Sequence, residues 1–119
     1  MSHVVLVEDD ALVRKLLEKR LVLAGWQVSS LRDGSGLVDL LRVRPADLVL
    51  LDLGLPRVDG LALAEELRAN GIDTPVMIVT AYDQPNLQAV VRSTGANALV
   101  RKPYDPEELL EQMRRMLAA

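Results

Sequence analysis

Short apolar runs alternate with longer amphipathic stretches along the whole chain, and the runs carry no polar alternation. They are Val4-Val5-Leu6-Val7, a weaker one from Gln27 to Leu31, Leu48-Val49-Leu50-Leu51, Val76-Met77-Ile78-Val79 and Ala98-Leu99-Val100. Short runs without polar partners predict strands covered on both faces, as in a parallel sheet. Between them, apolar residues recur at helical spacing. Asp10 is placed to cap a helix in which Leu12 and Leu16, and Val13, Leu17 and Leu21, repeat every four residues, with Gly25 as the stop. Leu61 to Ala69 repeats the theme and ends at Asn70-Gly71. Pro106 to Leu117 has Asp105 as its cap, two glutamates in the first turn, and Arg114 and Arg115 near its end, which matches the helix dipole at both ends. Ser35 to Arg42 and Gln84 to Ser93 complete the alternation as shorter helices.

The product is an α/β fold of (βα) units five times over. Right-handed crossovers make it a doubly wound, parallel five-stranded sheet in the flavodoxin-like order 2-1-3-4-5. A chain of 119 residues, half of them hydrophobic, forms one domain with a sizeable core. Aromatics are only 3% and Phe is absent, so that core is built from Leu, Val, Ile and Ala. With 14 basic against 17 acidic residues the net charge is −3, which argues against direct nucleic-acid binding and against a polybasic membrane anchor. The absence of Cys excludes disulfides, thiolate nucleophiles and sulfur-ligated zinc. No apolar run approaches a membrane span and the start lacks the regions of a signal peptide, so a cytoplasmic location is expected.

In doubly wound sheets chemistry gathers beyond the carboxyl ends of the strands. The first run is followed by Glu8, Asp9 and Asp10, the third by Asp52, the fourth by Thr80 and the fifth by Arg101-Lys102-Pro103. In the expected strand order these residues converge on one edge. Three carboxylates there would raise one another's pKa values or demand a cation, and oxygen donors alone suit Mg²⁺ (or Mn²⁺) better than zinc. Three carboxylates, one such ion and the Lys102 ammonium sum to no net charge, and a phosphoryl group on Asp52 would leave only a single negative charge. Each residue also has a plainer role: an Asx turn for Asp52, helix-dipole acids for Glu8 to Asp10, a β-branched strand residue for Thr80, a solvated charge for Lys102. An aspartate ending a strongly apolar strand is costly unless partnered, which favours the chemical role of Asp52. Asp10 is the cap. His3 is expected at the surface of a frayed terminus, and Trp26 as packing.

Four motifs stand in order at the strand ends: Val7-Glu8-Asp9-Asp10, Leu51-Asp52-Leu53-Gly54-Leu55-Pro56 with Asp59-Gly60, Val79-Thr80-Ala81, and Lys102-Pro103 with Tyr104-Asp105-Pro106-Glu107-Glu108-Leu109. With them the chain resembles, along its whole length, the receiver domain of two-component response regulators, the fold of the single-domain chemotaxis regulators. The resemblance implies that residues 1–119 are one receiver domain with no output domain in this chain. It implies that Asp52 is the phosphoacceptor for a sensor histidine kinase, a histidine phosphotransfer protein or a small phosphodonor. Asp9, Asp52 and the carbonyl of Gly54 would bind Mg²⁺ directly, with Glu8 helping through water. Thr80 and Lys102 would bind phosphoryl oxygens, and the Lys102–Pro103 peptide would be cis. It further implies a downstream output protein or an output domain beyond the carboxyl end, a monomer or phosphorylation-dependent dimer, and no turnover enzyme.

The chain departs from the family's pattern at three places. Leu99 stands at the switch position, where receivers usually carry Tyr or Phe. Repacking of the fourth helix and fifth strand around Thr80 would then carry the signal without a rotating ring. Gly95-Ala96-Asn97-Ala98 replaces an acidic stretch through which winged-helix relatives pair. Gly54 and Tyr82 occupy the positions that tend to set phosphoryl lifetime, and this pair predicts slow self-dephosphorylation. Other chemistries fare worse. A phosphohydrolase resembling the haloacid dehalogenases needs a second Asp where Gly54 stands. A flavin or nucleotide binder needs a phosphate loop where Glu8-Asp9-Asp10 stands. The remaining alternative is an unphosphorylated, receiver-like interaction module.

Overall fold

The computed structural model describes residues 1–52, 58–81 and 85–118. Strands β1 (His3–Val7), β2 (Gln27–Leu31), β3 (Leu48–Asp52), β4 (Val76–Thr80) and β5 (Ala98–Arg101) alternate with helices α1 (Ala11–Leu23), α2 (Leu37–Val43), α3 (Val58–Ala69), α4 (Leu87–Ser93) and α5 (Pro106–Ala118). All strand pairs are parallel and the order is β2-β1-β3-β4-β5, as the pattern predicts.

Successive strand side chains point to opposite faces, so each apolar run feeds two cores. Val5, Val7, Val49, Leu51, Val76 and Ile78 pack under Leu37 and Leu41 of α2, Ala64 and Leu67 of α3, and Leu87 and Val91 of α4. Val4, Leu6, Leu48, Leu50, Met77 and Val79 pack under Leu17 and Leu21 of α1 and Leu109, Leu110 and Met113 of α5. This two-sided burial is why the runs lack alternation. Trp26 packs at the edge of the second core, as expected.

The helix ends follow local chemistry. Asp10 Oδ1 accepts the Leu12 and Val13 amides and starts α1. At its far end the Trp26 amide donates to Leu21 O and the Gly25 amide to Val22 O, with Gly25 at φ +99°, a Schellman closure. Asp105 Oδ1 accepts the Glu107 amide at the start of α5. Two helices begin later than expected. Ser35 is held by Asp33, whose Oδ1 accepts both its amide and its hydroxyl, and Gly36 at φ +81° delays α2 to Leu37. Asn86 at φ +65° delays α4 to Leu87. Helix α3 starts at Val58, three residues before Leu61.

The structure settles one point the pattern left open and corrects one expectation. Of the two apolar rows on α1 only the one through Leu17 and Leu21 meets the sheet. Leu12 and Leu16, 68% and 59% exposed, face outward, because a single sheet face cannot cover so wide an arc of helix. His3 is not a frayed surface residue. It is buried in β1, with Nδ1 3.0 Å from Pro45 O and Nε2 2.8 Å from Ser29 Oγ, and its amide donates to Asp47 Oδ2 at 2.8 Å. Polar neighbours on both sides of the strand satisfy a ring that exposure would otherwise hydrate.

Candidate functional site

The site lies where β1, β3, β4 and β5 end. Asp52 closes β3 and is fully buried, in register with Val79, one residue before Thr80 on β4. Thr80 is also buried and its carbonyl accepts the Lys102 amide at 2.7 Å, which carries the chain from β5 back over the site. The Lys102 ammonium reaches Asp52 Oδ1 at 2.7 Å as an ion pair, and the Lys102–Pro103 peptide is cis. The contact is short but lacks hydrogen-bond geometry, so both Asp52 oxygens remain without a hydrogen bond among the described residues.

Glu8 follows β1 and is buried despite its charge. Its Oε1 accepts the Asp10 amide at 3.0 Å, while Oε2 finds no partner among the described residues. Burial pushes its carboxyl up to about 7. The Asp52 and Asp9 carboxylates add to the rise, and the Asp10 amide and Lys102 oppose it. Asp9, the next residue, is exposed at the mouth. Leu99 is half-buried in β5, paired with Ile78 and packed against the core that α2, α3 and α4 share. Gly54 and Tyr82 lie outside the described residues.

Two neighbours were given no role by the sequence reading. Arg14, in the first turn of α1, donates from Nη1 to Glu8 O at 2.9 Å. Its signal was its place, since helical side chains cover the turn before their own. Tyr104 is half-buried between the site and a cleft of about 200 Å³ bordered by α1 and α5. Burial raises its phenol above the usual value, and the charges of Asp52 and Glu8 raise it further.

The donor set fits a hard cation. Glu8 Oε2 and Asp52 Oδ2 are buried without a hydrogen bond, and Asp52 Oδ1 is held by the Lys102 ion pair; buried oxygens left unsatisfied cost stability. All are carboxylate oxygens, the ligands that Mg²⁺ prefers. Among the described residues no three acidic side chains are gathered closely enough to hold an ion unaided. An ion seated here would therefore need backbone or solvent oxygens as well.

Residues 4–114 match the family model of the response regulator receiver domain. The chain belongs to this family. Receiver domains are signalling modules of two-component systems and not turnover enzymes. The chain is 36% identical over 115 residues to response regulator MprA of Mycobacterium sp. (strain KMS), covering 97% of this chain and 50% of that protein. It thus spans about half the length of the curated relatives it matches. Among solved structures, it is similar to the BeF3-activated N-terminal receiver domain of Klebsiella pneumoniae RstA, with a TM-score of 0.87, 29% identity, and coverage of 98% and 99% of the two chains. It is also similar to response regulator TrrA of Thermotoga maritima in complex with Mg²⁺-BeF, with a TM-score of 0.81, 26% identity, and coverage of 98% and 99%. No helix among the described residues of this receiver domain is long and apolar enough to cross a membrane.

Proposed function

We propose that this receiver domain is a phosphorylation switch whose phosphoacceptor is Asp52. The observation that carries the proposal is a fully buried aspartate at a strand end, with an ammonium at 2.7 Å and carboxylate oxygens that lack hydrogen bonds. An Asp52 carboxylate oxygen attacks the phosphorus of a phosphohistidine on a sensor kinase or phosphotransfer protein. The P–N bond breaks, its electron pair stays on the imidazole nitrogen, and that nitrogen takes a proton from solvent. Lys102 then exchanges its carboxylate contact for a phosphoryl oxygen, and the Thr80 hydroxyl supplies a further donor. Asp9 and Asp52 are the residues that would hold Mg²⁺ directly, with the Gly54 carbonyl, and Glu8 through water. When bound, the ion supplies positive charge against the developing charge of the transferring phosphoryl group. The likeness to proteins solved with beryllofluoride, and with Mg²⁺ in one case, supports this donor set.

The state of Thr80 and Lys102 is passed to the α4 and β5 surface, where an output protein or output domain reads it in the cytoplasm. Incubation with Mg²⁺ and acetyl phosphate is expected to add one phosphoryl mass that hydroxylamine removes, and Asp52→Asn is expected to abolish it. A wild-type chain that takes no adduct from either acetyl phosphate or a cognate kinase would leave the interaction-module reading in its place.

A further inference from the structure

We propose that Arg14 is a positioning residue for the divalent cation, holding the Glu8–Asp9 peptide in the orientation from which the acids meet the ion. This rests on the phosphorylation-switch reading above. The peptides on either side of the Glu8–Asp9 peptide are held by other bonds. The Glu8 amide donates to Leu31 O of β2 at 2.9 Å, and the Asp10 amide ties back to Glu8 Oε1 at 3.0 Å. Arg14 holds the Glu8–Asp9 peptide itself, Nη1 to Glu8 O at 2.9 Å. Its own amide donates to Asp10 O at 2.8 Å, so its backbone is fixed in the helix that Asp10 caps. The Glu8 carbonyl and the Asp9 nitrogen share one rigid peptide plane. A bond that fixes this carbonyl therefore fixes the plane from which the Asp9 side chain departs.

Positioning and bare charge predict opposite signs here. A guanidinium repels a dication, so an arginine acting through charge alone would weaken Mg²⁺ binding, and its loss would tighten it. An arginine that positions the acids does the reverse. Titration of the chain with MgCl₂ in a calorimeter, beside the thermal midpoint without Mg²⁺, separates the two. Arg14→Met is expected to raise the Mg²⁺ dissociation constant about tenfold, in the range seen when an outer-shell partner of a metal ligand is removed. Arg14→Lys, which keeps the charge but not the planar fork, is expected to fall between Arg14→Met and the wild type. Unchanged or tighter binding by Arg14→Met overturns the proposal, even if the midpoint falls. If Arg14→Met does not fold, Arg14→Lys carries the test, and wild-type affinity in that variant overturns it. A wild-type chain that binds no Mg²⁺ overturns the phosphorylation reading instead, a result distinct from equal binding by both proteins.

Discussion

Glu8 is a buried acid, and its burial, with the Asp52 charge beside it, makes the unliganded domain sensitive to pH. The carboxyl of Glu8 sits near 7 in the folded chain against 4.5 for an unperturbed group, so the folded state holds its proton more tightly than the unfolded state does. The stability this confers is fully present below 4.5 and is lost as pH rises through 7. Without divalent cation, urea unfolding at pH 8 is expected to give a lower stability than at pH 5.5, by up to about 2 kcal/mol from this residue. Glu8→Gln should flatten that slope, and a slope equal to wild type would show that other groups set it. Added Mg²⁺ should restore more stability at pH 8 than at pH 5.5, since it favours the ionised acid. At this scale the chain was largely legible. Glu8, Asp52, Thr80 and Lys102 announced themselves because each interrupts or ends an apolar run. His3 did not, because its partners lie far along the chain, and Arg14 showed only by its place in the first turn of α1.

Elements are held together by a second arginine that periodicity could not single out. Arg68, at the end of α3, spends all five N–H donors. Nε and Nη2 reach Gly95 O, Nη1 reaches Ile72 O and Thr74 O, and Nη2 also reaches Asn97 Oδ1, at 2.8 to 3.0 Å. Asn97 Oδ1 takes the Val76 amide as well, so one side chain joins α3, the entry to β4 and the entry to β5. The Asn that breaks an acidic pattern in the sequence is thus occupied within its own chain. Gly95 at φ +90° lets the loop approach, since a Cβ there would stand 2.6 Å from Arg68 Cγ. Arg68→Lys, with three donors and no fork, is expected to lose about 2 kcal/mol in denaturant unfolding while leaving labelling by acetyl phosphate close to wild type. A loss below a few tenths of a kcal/mol would mean that water replaces these bonds without cost. Helix boundaries were the least legible feature here. Starts of α2 and α4 are set by left-handed residues, Gly36 and Asn86, whose backbone angles no apolar pattern reveals.

For the whole molecule, the alternating runs sufficed for the strand order because parallel strands buried on both faces admit few topologies. That order has a dynamic counterpart. The acids extend from β1 and β3, which lie inside the sheet with partners on both sides, whereas Lys102 follows β5, half-exposed at the edge. Amides of β1 and β3 should be the last to exchange with deuterium, and those of β5 should exchange about tenfold faster or more. Equal protection across the sheet would contradict this. If the proposed phosphorylation switch operates, this decides which half of the site can travel. On that expectation the negative charges sit in the slowest-opening part of the domain, and the positive charge follows an edge strand that opens sooner. A signal arriving as a phosphoryl group would thus be received by a stationary anvil and transmitted by a moving edge.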